Sequence, residues 1–243
     1  MYTFEYHRPD SLDEVDRLLG SADEPKLLAG GMTLLPTMKQ RLAQPSDLVD
    51  LAAVDSLRGV SVRDDQLVIG AMTRHVEVAT GAEVLAHSPA LAALAGLIGD
   101  PQVRNRGTIG GSVANADPAA DYPAGLLALN ARVTTTRREF AADDFFLDLF
   151  ETALDEDELV LSVTFPSVIR AAYMKFPNPA SRYAIVGVMV AEHADHVRVA
   201  VTGAGPNAFR VPEMESALAA EFAPHAVAGI SISDAGLNED IHA

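Results

Sequence analysis

The pattern of apolar and polar positions divides the chain into three stretches. In residues 1–55, short apolar runs alternate with amphipathic segments, which predicts a strand–helix–strand–helix–strand unit. Ser11 and Glu14 have the spacing of a capping box for a first helix that ends near Leu19, and Thr33 is placed to cap the second helix. The predicted strands are residues 2–7, 26–29 and 47–51.

Between residues 59 and 166 the pattern changes to short strands and apolar helices. Residues 60–63 and 66–72 flank two aspartates, which is typical of a β-hairpin. Thr73 is placed to cap a helix over residues 75–80. The further predictions are an apolar helix at 89–98, an apolar segment at 122–130, strands at 132–136 and 159–165, and a short acidic helix at 143–154.

The pattern of apolar and polar residues changes after Pro166, which predicts a second domain. Three runs with strand character are joined by hairpin signals, which predicts an antiparallel sheet over residues 171–176, 184–192 and 196–202. Residues 212–222 have a helical pattern. The polar tail over 231–243 is expected to be loose.

Two glycine-rich stretches interrupt the pattern, at residues 27–36 and 104–121. Glycine adopts positive φ without steric cost and lets a ligand approach the backbone closely. The longer stretch is predicted to be a loop whose successive N–H groups form an anion-binding concavity. The shorter one follows a predicted strand, at the sheet edge where open α/β sheets bind ligands, although a tight packing turn fits its sequence equally well. We expect both stretches to converge on one phosphate-bearing ligand.

Composition narrows the function further. Thirty-four acidic against 18 basic residues give a net charge of -16, which argues against nucleic acid and anionic membranes as partners. Without an 18-residue apolar stretch or a signal-peptide core, a soluble cytoplasmic protein is the expectation. Cysteine is absent, so an iron–sulfur cluster held by thiolates must lie on another chain.

The remaining motifs do not supply an active site. Residues 203–208 satisfy GxGxxA after a strand, but the prolines that follow predict an exit loop or hairpin instead of a nucleotide-binding helix. His193 and His196 lie at a predicted hairpin tip, and the acidic run 155–158 is typical of a solvated turn. No Ser/His/Asp grouping is visible. A phosphate-binding site without candidate acid or base residues for catalysis is typical of a protein that carries a cofactor.

Four segments together resemble one known family. They are LLAGGMTLLP at 27–36, IGAMTRHVEVA at 69–79, RNRGTIGGSVANADPAADYPA at 104–124 and YMKFPNPASRYAIVGV at 173–188. In this order they resemble the medium, FAD-binding subunit of molybdenum hydroxylases. That family includes aerobic carbon monoxide dehydrogenase, related nicotine-, quinoline- and aldehyde-oxidising enzymes, and the flavin domain of xanthine dehydrogenase.

The resemblance implies an α+β fold in two domains. The first, residues 1–168, would be a two-subdomain FAD-binding fold of the vanillyl-alcohol-oxidase (PCMH) type, with subdomains 1–55 and 56–168. The second, residues 169–243, would be a small antiparallel sheet-and-helix domain. Members of the family usually continue with a further helix, so this domain is expected to be incomplete.

The resemblance also implies where the FAD pyrophosphate is held. Backbone N–H groups and hydroxyls of residues 29–34 and 108–112 would bind it, with Asn115 and Asp121 further out along the cofactor. Met32 stands where a small polar residue is common, so its backbone N–H is expected to serve. The whole implied set is Lys26, Leu28, Ala29, Gly30, Gly31, Met32, Thr33, Leu34, Thr108, Ile109, Gly110, Gly111, Ser112, Asn115, Ala120, Asp121, Val160, Leu161, Lys175 and Tyr183.

The last members of that set are implied to lie at the flavin end of the bound FAD. By resemblance, Val160 or Leu161 would contact the flavin, and Lys175 would stabilise negative charge on the reduced ring. Tyr183 would pack near the isoalloxazine. No catalytic residue and no metal ligand of this chain's own is implied.

Family enzymes combine three kinds of chain. A large subunit carries molybdopterin, a small one carries two [2Fe–2S] clusters, and the medium one passes electrons through FAD to NAD or another acceptor. The leading hypothesis is therefore the FAD subunit of a heterotrimeric molybdenum hydroxylase. A stand-alone oxidase or reductase of the same fold is the alternative, and it needs a substrate acid or base near the ring. A third hypothesis is an interaction subunit that has lost its cofactor. The intact glycine-rich stretches argue against this hypothesis.

Overall fold

The computed structural model describes residues 1–238. Its strands are β1 Glu5–His7, β2 Pro25–Leu28, β3 Asp47–Asp50, β4 Val60–Arg63, β5 Gln66–Gly70, β6 Arg132–Thr135, β7 Glu139–Ala141, β8 Phe146–Asp148, β9 Glu151–Thr152, β10 Val160–Pro166, β11 Arg170–Pro177, β12 Ala184–Glu192, β13 Val197–Thr202 and β14 Phe209–Arg210. Its α-helices are α1 Leu12–Ser21, α2 Leu34–Lys39, α3 His75–Thr80, α4 Ala82–His87, α5 Pro89–Gly96, α6 Pro101–Arg104, α7 Ile109–Asn115, α8 Asp121–Ala128, α9 Pro212–Ala220 and α10 Pro224–Val227.

The N-terminal unit is a parallel sheet of order β1–β3–β2 with helices on both faces. The central strand β3 buries Leu48 and Val49 on opposite faces. Val49 packs with Val15 of α1, and Leu48 packs with Met38 of α2. This is the strand–helix–strand–helix–strand unit that the patterning predicts, and β2 ends where the first glycine-rich stretch begins.

The helix starts differ from the predicted caps. Ser11 and Thr33 occupy the N-cap positions of α1 and α2, but neither side chain makes a capping hydrogen bond. The hydroxyl of Thr73 does not cap α3 and instead bonds both backbone groups of Gly59, at 3.0 and 3.1 Å. The start of α3 is capped instead by Glu77, whose carboxylate accepts a hydrogen bond from the N–H of Arg74 at 2.8 Å.

The middle of the chain forms an antiparallel sheet of order β4–β5–β10–β6–β7. The predicted hairpin between β4 and β5 is present, and both turn residues, Asp64 and Asp65, have positive φ. Leu67, Ile69 and Val163 are inaccessible to solvent and share one apolar core with the buried residues of α3, α5 and α8. This sheet and its helices form the wall against which the N-terminal unit packs.

The predicted acidic helix over residues 143–154 is wrong. The segment is instead a short 3-10 turn over Ala142–Asp144, followed by the hairpin of β8 and β9. The adjacent Phe145 and Phe146 are both buried, and Phe150 turns the chain with φ of 55°. Burying neighbouring aromatics in this way suits an irregular turn better than one face of a helix.

The predicted loop over residues 104–121 is wrong in its centre, which is helix α7. Thr108 caps this helix by accepting a hydrogen bond from the N–H of Gly111 at 3.2 Å. Gly110 does not have positive φ. It is glycine because a Cβ there would lie 2.5 Å from the Cβ of Ala71. The glycines of this stretch therefore serve close packing, and the one positive φ among the glycines of both stretches belongs to Gly31, at 73°.

The C-terminal part is an antiparallel sheet of order β11–β12–β13–β14. One face packs on α8, and the other packs α9 against Val199 through Leu218. The expected antiparallel sheet and helix are thus present. In the tail, Asn238 donates its N–H to the carbonyl of Ala204 at 2.8 Å, and the remainder of the expected loose segment, 239–243, lies outside the described residues. Within residues 1–238, no helix is long and apolar enough to span a bilayer.

Candidate cofactor site

A cleft of about 600 Å³ lies where the N-terminal unit, the middle sheet and the connection between β11 and β12 meet. That volume falls within the range of pockets for small organic ligands. The residues of the implied set that line it are Lys26, Ala29, Gly30, Gly31, Met32, Thr33, Leu34, Thr108, Gly110, Gly111, Ser112, Asn115, Ala120, Asp121, Val160 and Tyr183.

The two glycine-rich stretches touch each other at this cleft. A Cβ on Gly30 would lie 2.3 Å from the carbonyl oxygen of Arg106 and 2.6 Å from Cα of Gly107. A Cβ on Gly111 would lie 3.3 Å from that of Ala29. The backbones are therefore in direct contact, and the convergence expected from the sequence is present.

Among the described residues, most free backbone donors of the cleft belong to the first of the two stretches, and Thr108 adds one from the second. Among the described residues, no protein group accepts a hydrogen bond from the N–H groups of residues 30–33. In the other stretch, the N–H of Ile109 donates to the carbonyl of Thr73 at 3.0 Å. The N–H of Gly110 donates to the carbonyl of Ala71 at 2.9 Å. Our expectation that both stretches offer backbone N–H groups to an anion stays a prediction: among the described residues, the N–H groups of residues 30–33 and of Thr108 have no protein acceptor, whereas those of Ile109 and Gly110 do.

Three apolar members of the implied set do not line the cleft, because their side chains fill the core. Leu28 packs with Met38 and Leu48 beneath the parallel sheet. Ile109 is inaccessible in the main core. Leu161 packs towards the cluster around Val49, while its neighbour Val160 lines the cleft. Alternation along β10 thus places Val160, and not Leu161, in the wall of the cleft.

Lys175 is also absent from the cleft wall. Its ammonium lies 2.8 Å from the carboxylate of Asp121 and 3.2 Å from the carbonyl of Leu97, and its side chain is only 2% exposed. Tyr173 donates its hydroxyl to the same carboxylate at 2.5 Å. Burial raises the pKa of Asp121, and the Lys175 ammonium opposes that shift. The lysine therefore holds the carboxylate of Asp121, a cleft residue, and does not itself line the cleft.

The opposite wall is a turn fixed by a buried carboxylate. Glu158 accepts hydrogen bonds from the guanidinium of Arg138 at 2.9 Å and from the hydroxyl of Thr135 at 2.5 Å. These partners lower its pKa to about 2. Our interpretation of residues 155–158 as a solvated turn is wrong for Glu158, whose side chain is fully covered.

The cleft also contains residues that the sequence pattern did not single out. His75, Asp117, Ser181 and Arg182 line it together with Tyr183. Burial raises the pKa of Asp117, and burial followed by the nearby Asp117 raises that of Tyr183. His75 stands in the family-like segment 69–79, but a histidine at the start of a helix carries no recognisable signal of its own.

The donors of the cleft fit a phosphate-bearing dinucleotide. A row of free N–H groups along residues 30–33 is suited to bind a diphosphate, and a Cβ on Gly30 would collide with the backbone of residues 106–107 that supports this row. Apolar side chains, Leu27 and Leu159 among them, provide surfaces for aromatic rings. The fold and the cleft together define an α+β protein that carries a dinucleotide cofactor.

Comparison with known proteins gives the family. A family model described as the FAD binding domain in molybdopterin dehydrogenase matches residues 2–168. The carbon monoxide dehydrogenase medium chain of Hydrogenophaga pseudoflava is 40% identical over 220 residues, covering 85% of this chain and 77% of the relative. The nicotine 6-hydroxylase medium subunit of Paenarthrobacter nicotinovorans is 37% identical over 223 residues, covering 88% and 79%.

The fold agrees with that of a solved relative. The structure of carbon monoxide dehydrogenase from Hydrogenophaga pseudoflava superposes with a TM-score of 0.88 at 40% identity, covering 93% of this chain and 84% of that one. The chain belongs to the FAD-binding subunits of the molybdenum hydroxylases, which are oxidoreductases, and its cofactor is FAD.

Proposed function

We propose that this chain carries FAD as the electron-transfer subunit of a molybdenum hydroxylase. It receives electrons from [2Fe–2S] clusters of a small partner subunit, in a complex with a molybdopterin-containing large subunit, and delivers them to NAD or another acceptor. Relatives named as medium chains of dehydrogenases support this, as does a sequence without any cysteine. The observation that carries the proposal is the row of free N–H groups at residues 30–33, pressed against Gly107.

The diphosphate end is proposed at the contact between the glycine-rich stretches. The N–H groups of residues 30–33 would hold the diphosphate oxygens, and the hydroxyls of Thr33 and Ser112, which line the same cleft, would add to them. A backbone site of this kind binds negative charge without contributing a basic side chain. That property suits a chain whose net charge is -16.

The two ring systems are proposed to occupy the arms of the cleft on either side. Val160 lies in the wall formed by the middle sheet, and Tyr183 lies in the wall formed by the connection between β11 and β12. Asp121, held by Lys175 and Tyr173, presents a fixed carboxylate to the cleft. FAD supplies one- and two-electron redox chemistry, and the chain's residues bind it, orient it and cover it.

The proposed domains correspond to the parts of the chain that would bind the cofactor. Residues 1–168, as subdomains 1–55 and 56–168, would form the cofactor-binding domain. Residues 169–243 would form a second domain that reaches the cofactor through residues 181–183. A cofactor held between three parts of the chain is shielded from water on several sides, which suits a carrier that exchanges electrons at chosen edges.

The test is to purify the chain with its native partners. We expect a yellow protein that absorbs near roughly 450 nm and releases FAD instead of FMN on denaturation, as a flavin carrier does. The complex should contain molybdenum and iron. A flavin-bearing chain that purifies without metal-carrying partners and oxidises a small substrate alone would favour the stand-alone flavoenzyme. A colourless chain in an intact complex would contradict the proposal.

A further inference from the structure

His75 lies directly behind the place where the two glycine-rich stretches touch. Its backbone N–H donates to the carbonyl of Gly107 at 2.9 Å. A Cβ on Gly107 would lie 2.5 Å from Nε2 of His75, and Gly30 presses on Gly107 from the other side. Gly30, Gly107 and the imidazole are thus three successive layers, and all three line the cleft.

The imidazole is covered but has no hydrogen-bond partner. The residue is only 4% exposed, and no described protein group bonds either ring nitrogen. Tyr122 packs against the ring with centroids 5.4 Å apart, which fixes its position. A buried polar group without a partner is rare and costly unless a ligand or a water completes it. Nδ1 is the nitrogen that is buried without a partner, so a partner from the cleft can reach only Nε2, which lies beside the cleft residue Gly107.

The chemical state of the ring can be deduced from its surroundings. Burial, and then the guanidinium of Arg104, lower the pKa of His75 to about 4, so the imidazole is neutral at pH 7. A neutral imidazole carries one N–H and one acceptor nitrogen. Nδ1 is enclosed by protein. Placing the proton there would bury a donor without an acceptor, whereas Nε2 lies beside the cleft residue Gly107.

We propose that His75 is a further cofactor-binding residue, which donates Nε2–H to a diphosphate oxygen of the bound dinucleotide. This rests on the proposed function, because it takes the diphosphate to lie over residues 30–33. Gly30 contacts Gly107, Gly107 lies against Nε2 of His75, and all three residues line the same cleft, so the imidazole is close to the start of the row of free N–H groups.

Two amide variants separate this role from simple packing. In His75→Gln the amide nitrogen can reach the place of Nε2, and in His75→Asn it reaches only the place of Nδ1. FAD affinity is measured by quenching of flavin fluorescence in the flavin-depleted chain. We expect His75→Gln to stay within about threefold of the original protein and His75→Asn to bind about 10- to 100-fold more weakly, the range for a hydrogen bond to a charged group.

Two further measurements keep the result decisive. ADP, which contains the diphosphate but no flavin, should lose affinity for His75→Asn by the same factor as FAD. Tyr122→Phe, which keeps the ring against His75, should bind FAD as the original protein does. If the Asn variant does not fold, nitrogen NMR of labelled histidine in the original protein decides: the proton must be on Nε2 with FAD bound.

The results that would contradict the role of His75 differ from those that would contradict the proposed function. If the original chain does not bind FAD, the proposed function fails. If it binds FAD but the Asn and Gln variants bind equally well or are equally impaired, only the role of His75 is overturned. A proton on Nδ1 in the FAD complex would overturn it as well.

Discussion

At the scale of single residues, the cleft depends on backbone surfaces that a side chain would separate. Gly30 shows this best, because its missing Cβ would lie 2.3 Å from the carbonyl oxygen of Arg106. The obstacle is backbone, so it cannot turn away as the end of a flexible side chain can. Sequence alone indicated that these glycines serve close approach, but not that the partner is the other glycine-rich stretch.

We expect Gly30→Ala to weaken FAD binding by pushing the two stretches apart. Overpacking of this kind costs about 1–3 kcal/mol, which corresponds to about a 5- to 150-fold loss of affinity if it falls on the bound state. Gly20→Ala in α1 is the matched control, since a Cβ there meets nothing within 4 Å. Flavin content and affinity of the purified variants check the prediction, and a Gly30→Ala protein with full flavin content would contradict it.

The ion pair of Lys175 with Asp121 gives a second prediction at this scale. Lys175→Met leaves a buried carboxylate without its counter-charge, which costs about 3–5 kcal/mol in comparable cases. Replacing both residues, as Lys175→Met with Asp121→Asn, should recover much of that loss because no unpaired charge remains. Urea unfolding of the single and double variants measures the coupling. Equal stability of Lys175→Met and the original protein would show that the pair contributes little.

At the scale of elements, the sequence correctly predicted the helices and strands whose pattern of apolar and polar residues matches their burial in the fold. Strand β12 was predicted over the residues where it lies, because its alternate side chains meet α8 on one face and valines on the other. Helix α7 was missed because Gly110 and Gly111 suggest a loop, and only the contact with Ala71 explains glycine inside a helix. The four expected site residues that do not line the cleft are Leu28, Ile109, Leu161 and Lys175, and the first three lie next to residues that do. The segments that resemble the family indicate which parts of the chain lie at the cleft. The local sequence does not indicate which side chains of those parts point into the cleft and which point into the core.

The turn held by Glu158 gives a prediction for pH dependence. Its folded-state pKa of about 2 lies below the ordinary value of 4.5, so its contribution to stability is present above pH 4.5 and is lost as the pH falls towards 2. Since Arg138 is half exposed and solvent screens the pair, we expect about 1–2 kcal/mol at pH 7. The stability difference between the original protein and Glu158→Gln, measured by urea unfolding, should therefore shrink between pH 5 and pH 3. A constant difference would assign the effect to packing alone.

At the scale of the whole molecule, the cleft joins parts of the chain that are distant in sequence. Residues 30–33 come from the parallel unit, Thr108 and Ser112 from the helical layer of the middle domain, and Tyr183 from the C-terminal sheet. A ligand that touches all of them ties their folding together. Flavin binding should accordingly matter for the cohesion of the molecule as well as for its redox chemistry.

Removal of FAD should therefore lower the melting temperature strongly and make unfolding less cooperative. A ligand present at about 1,000 times its Kd contributes about 4 kcal/mol, which for a chain of this size corresponds to about 8–16 °C. Calorimetry of the flavin-depleted protein with FAD, ADP or FMN added back measures this. FAD should restore a single transition because it reaches every part of the cleft, whereas ADP and FMN, each of which fills part of it, should restore less. If FMN alone restored the full melting temperature, the diphosphate contact at residues 30–33 would not be what holds the three parts together.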